Sequence, residues 1–176
     1  MTRTLVIGLD CVPPHFAFGQ YADVMPNLSR LRSRGVSGPL RSCAPPITVP
    51  AWTCMVSGRD PGELGLYGFR HLDVDSYAHS TVTSKDVRVK RVWDLLGERG
   101  HSVAALYVPL TYPPTPVRGV MVSCFLTPDD APAFTFPRGL GDELVSRFGA
   151  YMPDVRDFRT DALTRVYDDL VTTNAA

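Results

Sequence analysis

The sequence has no excess of either charge and no long apolar run. Its 176 residues include 18 Lys and Arg against 18 Asp and Glu, so the formal net charge is zero at pH 7. Nucleic-acid-binding proteins normally show a basic excess or a basic face, so we expect no nucleic-acid partner. No stretch approaches the roughly 18 apolar residues of a membrane span, and the first nine residues lack the features of a signal peptide. The sequence therefore predicts a cytoplasmic protein with no membrane partner.

Cysteine is scarce and widely spaced. None of the four cysteines forms a Cys-x-x-Cys pair, which argues against a zinc ribbon. Scattered cysteines in a cytoplasmic chain are usually small buried hydrophobic residues, and we prefer that interpretation for Cys11, Cys43, Cys54 and Cys124.

Hydrophobic residues make up 44% of the chain and charged residues 20%, which excludes wholesale disorder. The length suits one domain or one part of a larger domain. There is no internal repeat and no shift in composition along the chain. We therefore predict one α/β unit over residues 1–176.

Short apolar runs alternate with helix-like patterns along the chain. The run Leu5 to Leu9 is continuously apolar, which is typical of a strand buried on both faces of a parallel sheet. Further strands are predicted at 102–108 and 120–122, and helices at 26–34, 48–58, 89–100, 140–149 and 158–170. This alternation predicts an α/β fold with a mostly parallel sheet flanked by helices.

Asp10 directly follows the first predicted strand. Ligands of open α/β sheets gather at the carboxyl ends of the strands, and a carboxylate there suits a divalent cation or acid/base catalysis. The alternative is a helix or turn cap, which is the commoner role of a lone aspartate.

Thr48 lies at the start of the predicted helix 48–58. Its hydroxyl could cap the helix, which is worth about 1 kcal/mol. It could instead attack an electrophile whose anionic oxygens are held by the helix amides and dipole. Capping is the commoner role, so Thr48 alone does not decide between them.

The order of several short segments along the chain carries more information than any one of them alone. They are Val6-Ile7-Gly8-Leu9-Asp10, Met25-Pro26-Asn27-Leu28 with Leu31 and Gly35-Val36, Pro45 to Trp52, Val56-Ser57-Gly58, Pro61-Gly62, Gly65 to Phe69, Val92 to Leu96, Val108 to Pro114 and Phe125 to Pro128. This ordered set resembles the N-terminal part of the alkaline phosphatase superfamily. Within it, the set is most similar to type I phosphodiesterase/nucleotide pyrophosphatase-like phosphohydrolases.

The resemblance implies an alkaline-phosphatase-like fold, here incomplete, and metal-dependent hydrolysis of phosphate mono- or diesters. It implies a two-metal site, usually of zinc. Asp10 matches the first carboxylate ligand, and Thr48 matches the metal-bound threonine nucleophile. A threonine hydroxyl is a poor nucleophile at neutral pH, and coordination to a cation is one way to activate it.

The sequence departs from the family pattern in two places. Related enzymes carry a phosphate-binding asparagine about where Phe69 falls; Arg70 or His71 could substitute, although exposed loop residues are the alternative interpretation. The family also completes its site with later Asp-x-x-x-His, Asp-His and His segments, which the chain's four histidines do not supply.

We therefore expect the front part of such an enzyme, as a truncated, separately encoded or degenerate form. Alone it should be inactive and should self-associate or depend on a complementary C-terminal chain. The competing hypothesis is a non-catalytic α/β binding or assembly module.

Overall fold

The computed structural model describes residues 3–154. Its contacts group into two compact units, Met1–Ser42 and Cys43–Ala176. The expected single α/β unit over residues 1–176 stays a prediction, and the helix predicted at 158–170 lies outside the described residues. No helix in the described part of the chain is long and apolar enough to cross a membrane.

The first unit is built around helix α1, Pro26–Arg34. Proline suits the first helical position, where an N–H would have no partner within the helix, and Gly35 ends the helix as predicted. Two shorter turns precede it, Phe16–Gln20 and Ala22–Val24. Leu31, which belongs to this helix, is 64% exposed.

The strand predicted at residues 5–9 is not formed. Leu5, Val6 and Ile7 are 82%, 77% and 69% exposed. A strand is held by backbone hydrogen bonds to a neighbouring strand, and residues 3–42 contain no strand that could pair with this run. An apolar sequence alone therefore does not produce the strand.

The second unit contains four α-helices among its described residues. They are α2 Thr48–Ser57, α3 Pro61–Leu64, α4 Val92–Glu98 and α5 Arg138–Phe148. The helices predicted at 48–58 and 140–149 are confirmed. The helix predicted from Val89 begins later, because the Asp94 carboxylate accepts the backbone N–H of Arg91 at 2.8 Å and so caps the helix at Val92.

Two small sheets complete the described part of this unit. Strands β1 Arg70–Leu72 and β2 His79–Thr81 pair antiparallel. Strands β3 Val103–Leu106, β4 Gly119–Val122 and β5 Thr135–Phe136 form a second sheet in that order. The pair β3–β4 is parallel and the pair β4–β5 is antiparallel. The fold is therefore mixed α/β, but the mostly parallel sheet is not confirmed.

A glycine fixes how closely β3 and β4 pair. Gly119 lies opposite Val103, and it has a φ of 134°. A Cβ built on Gly119 would lie 2.0 Å from the carbonyl oxygen of Val103. The parallel pairing at this end of the sheet thus requires a residue without a side chain.

Two clusters of buried side chains hold the second unit together. Trp93 of α4, Ala105 of β3 and Met121 of β4 form one, and Val56 of α2 packs against it. The other cluster is made of Val49, Leu66, Val82 and Leu110. Helix α2 contributes to both clusters, so its position is set along its length by apolar packing.

Candidate functional site

Thr48 is the first residue of α2. The residue before it, Ile47, is the extended N-cap, and Ile47 has no side chain that could cap the helix. The carbonyl oxygen of Ile47 accepts the N–H of Ala51 at 2.9 Å. Thr48 therefore sits in the first turn, where backbone N–H groups point outward and the helix dipole favours negative charge.

The side chains of the two residues after Thr48 are buried and so anchor the first turn of α2. Val49 is fully buried, and Pro50 is among the fully buried side chains. Proline costs nothing at this point of a helix, because the N–H it lacks would have no partner within the helix. The half-buried Thr48 is thus carried on a turn whose other side chains cannot move without opening the interior.

The same packing brings the turn near one end of the larger sheet. Val49 shares its cluster with Leu110, which follows strand β3, and Leu126, which follows β4, packs against that cluster. Each of these segments leaves from the carboxyl end of its strand, and because β3 and β4 are parallel, both leave at the same edge of the sheet. This is the edge at which open α/β sheets bind their ligands.

Hydrogen bonds hold the segment after β3 in place. The Ser84 hydroxyl donates to the carbonyl oxygen of Pro113, and the Ser84 N–H donates to that of Tyr112 at 2.7 Å. The buried Thr111 hydroxyl donates to the carbonyl oxygen of Val108 at 2.7 Å. The segment facing the first turn of α2 is therefore rigidly connected to the rest of the unit.

A second polar network follows strand β4. The buried hydroxyls of Ser123 and Thr127 are 2.8 Å apart, and the hydroxyl of Tyr151 donates to the Ser123 carbonyl oxygen at 2.6 Å. Burial, with a smaller contribution from the neighbouring Tyr107, raises the pKa of Tyr151 above its ordinary value. These hydroxyl groups are all engaged in internal hydrogen bonds, which stabilise the segment after β4.

The region around Phe69 differs from the expected loop. Phe69 makes an edge-to-face contact with Phe125, with ring centroids 6.2 Å apart. Arg70 and His71 belong to strand β1, so the interpretation of both as loop residues is wrong. The His71 ring nitrogen lies 3.8 Å from a carboxylate oxygen of Asp86. Arg70, in contrast, is exposed.

Asp10 belongs to the first unit, whereas Thr48 belongs to the second. Asp10 is exposed and lies in a turn with Cys11, whose φ is 56°. Its expected position at the carboxyl end of a strand is wrong, because the strand before it does not form. The roles of Asp10 and Thr48 as metal ligands stay predictions.

No group of three His, Cys, Asp or Glu side chains suited to a metal occurs within residues 3–154. The expectation that no histidine of the chain supplies an Asp-x-x-x-His segment is wrong as to spacing, because Asp75 and His79 have it. Both are exposed residues of the hairpin that β1 and β2 form. A carboxylate and a hydroxyl, as on Asp10 and Thr48, have the right chemistry for a divalent cation. Catalytic zinc normally takes three protein ligands, so further donors would be needed.

One feature near Thr48 could not be predicted from the sequence. Burial, with a smaller contribution from Cys43, which precedes α2, raises the pKa of Cys54 to about 11. Both are half-buried, while Cys11 is exposed and Cys124 is buried, so the interpretation of the cysteines as buried hydrophobic residues fits Cys124 and fails for Cys11. A separation of eleven residues along the chain gives no signal that Cys43 affects the pKa of Cys54.

Comparison with known proteins gives one positive result. The family model for type I phosphodiesterase / nucleotide pyrophosphatase matches residues 4–174. No curated protein and no solved structure matches the chain. The matched family acts on phosphate esters, is generally metal-dependent and lies within the alkaline phosphatase superfamily. Since the match covers nearly the whole sequence, the chain belongs to the type I phosphodiesterase / nucleotide pyrophosphatase family.

Proposed function

We propose that this chain takes part in hydrolysis of small phosphate mono- or diesters in the cytoplasm, with Thr48 as the nucleophile. The observation that carries the proposal is the position of Thr48 as the first residue of α2, after an N-cap that has no polar side chain. A hydroxyl in the first turn lies beside outward-pointing amides, which can hold the non-bridging oxygens of a phosphate. Membership of the family supplies the reaction class.

The reaction divides into two displacements at phosphorus. The Thr48 hydroxyl oxygen attacks the phosphorus atom, its proton leaves to solvent, and the bond from phosphorus to the leaving oxygen breaks. Water then attacks the phosphothreonine and restores the hydroxyl. The positive end of the α2 dipole stabilises the negative charge that develops on the phosphoryl oxygens in both steps.

Metal dependence is the second part of the proposal. Asp10 and Thr48 would act as ligands of a divalent cation, with zinc as the expected metal. When bound, such a cation lowers the pKa of a coordinated hydroxyl and neutralises phosphoryl charge. Two donors fall short of the three that catalytic zinc normally takes. We therefore propose that the remaining donors come from a complementary chain and that the 176-residue chain alone turns over no substrate.

The test uses bis-p-nitrophenyl phosphate with zinc or manganese. We would assay the chain alone and the chain combined with the C-terminal part of a family member that carries the Asp-x-x-x-His and Asp-His segments. Turnover is expected only in the combination. Thr48→Ala should reduce it by several orders of magnitude, because the covalent route is removed, while Thr48→Ser should retain part of it.

Thr53→Val is the matched control. Thr53 lies on the same helix, but it is buried and its hydroxyl donates to the Val49 carbonyl oxygen at 2.7 Å. Valine keeps its shape, so this variant should lose stability and keep turnover. Full turnover by Thr48→Ala would show that Thr48 is not the nucleophile. Acid quenching should also trap the adduct on Thr48 in wild type.

A non-catalytic binding or assembly module is the second candidate. The observation that favours it is the lack of a three-donor group among residues 3–154. Such a module would give no turnover in the combination with the C-terminal part, and calorimetric zinc titration of that combination would detect no tight binding. Tight binding of two metals by the chain alone, with turnover lost in Thr48→Ala, would contradict the need for a complementary chain.

A further inference from the structure

Two buried nitrogen donors of the second unit have no hydrogen-bond partner among the described residues. They are Nη1 of Arg91 and the indole Nε1 of Trp93, and both atoms are closed to bulk solvent. The side chain of Arg91 is 9% exposed, and Trp93 is 5% exposed. A buried donor without an acceptor loses its hydration and gains nothing in return, so native proteins rarely keep one. These two nitrogens therefore need an acceptor that residues 3–154 do not supply.

The two donors lie in one neighbourhood. The central carbon of the Arg91 guanidinium is 5.2 Å from the centroid of the Trp93 ring. The other nitrogens of the guanidinium are engaged. Nε donates to a carboxylate oxygen of Asp94 at 3.0 Å, and Nη2 donates to the hydroxyl oxygen of Thr115, also at 3.0 Å. Because a guanidinium is planar and rigid, these two bonds fix the direction of Nη1, which cannot turn toward another partner.

The hydroxyl of Thr115 adds a third donor. Its oxygen accepts the bond from Arg91, and its hydrogen is directed to the sulfur of Met121 at 4.0 Å. A thioether sulfur is a weak acceptor, so this hydroxyl would gain by donating to a stronger one. One cationic donor and two neutral donors thus occur together, and none of the three has a strong acceptor.

We propose that Arg91, Trp93 and Thr115 form an internal binding site for a small monovalent anion such as chloride. Such an anion only accepts hydrogen bonds, which is what the three donors need. A water molecule would also need acceptors for its own two hydrogens. Five apolar side chains pack against the cluster of Trp93 and offer no acceptor, namely Val56, Val103, Val108, Val117 and Phe136. The inference does not depend on the proposed function.

Charge and size restrict the ligand further. The side chain of Asp94, which pairs with Arg91, is 24% exposed, so water partly screens the charge of the carboxylate. The guanidinium is buried and is not screened in this way, so it keeps a positive field on its interior side. Because both donor atoms are closed to solvent, a phosphate ester or another bulky anion cannot enter. The site therefore suits an ion of halide size.

The bound anion would connect two parts of the second unit. Arg91 directly precedes α4, and Thr115 lies in the segment that joins β3 to β4. The folded state brings these residues together and the unfolded chain does not, so the anion binds the folded state and shifts the folding equilibrium. Once chloride exceeds its dissociation constant, each tenfold rise in chloride concentration should raise the folding constant up to tenfold.

The first experiment follows urea unfolding of the full chain by circular dichroism. Chloride replaces gluconate stepwise at constant ionic strength, so the screening of surface charges stays the same. We expect the folding constant of wild type to rise with chloride. Arg91→Gln removes the cation and should abolish this dependence, and Trp93→Phe should weaken it at least several-fold. Thr111→Val is the matched control, because the buried Thr111 hydroxyl donates to the Val108 carbonyl oxygen and takes no part in the site. It should lose stability and keep the chloride dependence.

The second experiment needs no substitution. Bromide is of halide size and quenches tryptophan fluorescence on contact, so bromide bound beside Trp93 should give quenching that saturates and that excess chloride reverses. Random collisions with the half-buried Trp52 give quenching that rises without saturation. Wild-type quenching without a saturable part would overturn the proposal. So would equal urea midpoints of wild type in chloride and gluconate, or full chloride dependence in Arg91→Gln.

Discussion

The burial of Val49 predicts that the position of Thr48 depends on a single apolar side chain. Val49 is fully buried and contacts a cluster that includes Leu66, Val82 and Leu110. Val49→Ala removes about two carbon groups, worth about 1.6 kcal/mol in transfer free energy. The cavity left behind adds about 1 kcal/mol. We expect unfolding free energy to fall by about 2–3 kcal/mol and Tm by about 4–12 °C.

Intrinsic fluorescence is a suitable assay. Both tryptophans of the sequence, Trp52 and Trp93, lie in the second unit, so urea unfolding followed by tryptophan emission reports on that unit alone. Met55→Ala is the control, because Met55 lies on the same helix and is 55% exposed. It should change the midpoint little. A Val49→Ala chain within about 0.5 kcal/mol of wild type, or a Met55→Ala chain destabilised as much, would refute the packing argument.

Three further predictions concern other parts of the chain. Asp10→Ala should lower the zinc or manganese bound by the chain combined with a complementary C-terminal part, and unchanged stoichiometry by elemental analysis would contradict its role as a ligand. Gly119→Ala should destabilise the fold by about 3 kcal/mol or more, since the new Cβ would meet the Val103 carbonyl oxygen at 2.0 Å; a normal urea midpoint would be the contrary result. Tyr151→Phe should cost about 1 kcal/mol at pH 7 through the lost bond to Ser123. Because burial raises the pKa of Tyr151 in the folded state, wild-type stability should decline as pH rises above the ordinary value near 10, and urea melts in which Tyr151→Phe declines equally would exclude this residue as the cause.

The sequence predicts those elements whose end signals are local. Helix α1 has proline at its start and glycine at its end, and α2 and α5 also end at glycine, so periodicity and end residues give their bounds closely. Strands β3 and β4 coincide with apolar runs. The apolar pattern places the start of α4 too early, at Val89. The hydrogen bonds between Arg91 and Asp94 cap the helix, so that it begins at Val92.

Features that depend on distant residues could not be predicted in this way. The run Leu5 to Leu9 has the composition of a buried strand, but a strand needs a partner that composition does not reveal. The hairpin β1–β2 carries exposed polar residues such as His79 and Ser80, so it lacks the alternation that marks a strand. Its turn is held by Asp73, whose carboxylate accepts two backbone N–H groups, which lowers the pKa of that carboxyl.

The candidate site also has one feature that the sequence predicts and one that it does not. The position of Thr48 at a helix start follows from the sequence, because Pro50 and Gly58 define the ends of α2. Its nearness to the segments after β3 and β4 does not, since it arises from packing of Val49 with Leu110 and Leu126. The roles of Thr48 as nucleophile and of Asp10 as metal ligand stay predictions, and both rest on the family resemblance.

The shared packing of Val49, Leu110 and Leu126 has a consequence for how this protein can evolve. In many α/β enzymes, loops at the carboxyl end of the sheet can vary while the scaffold stays constant. Here, side chains from both of those loops are part of the scaffold that holds the helix of Thr48. A substitution that reshapes either loop for a new ligand would also loosen that helix. Laboratory selection for altered specificity should therefore recover paired changes, one in a loop and one that restores packing against Val49.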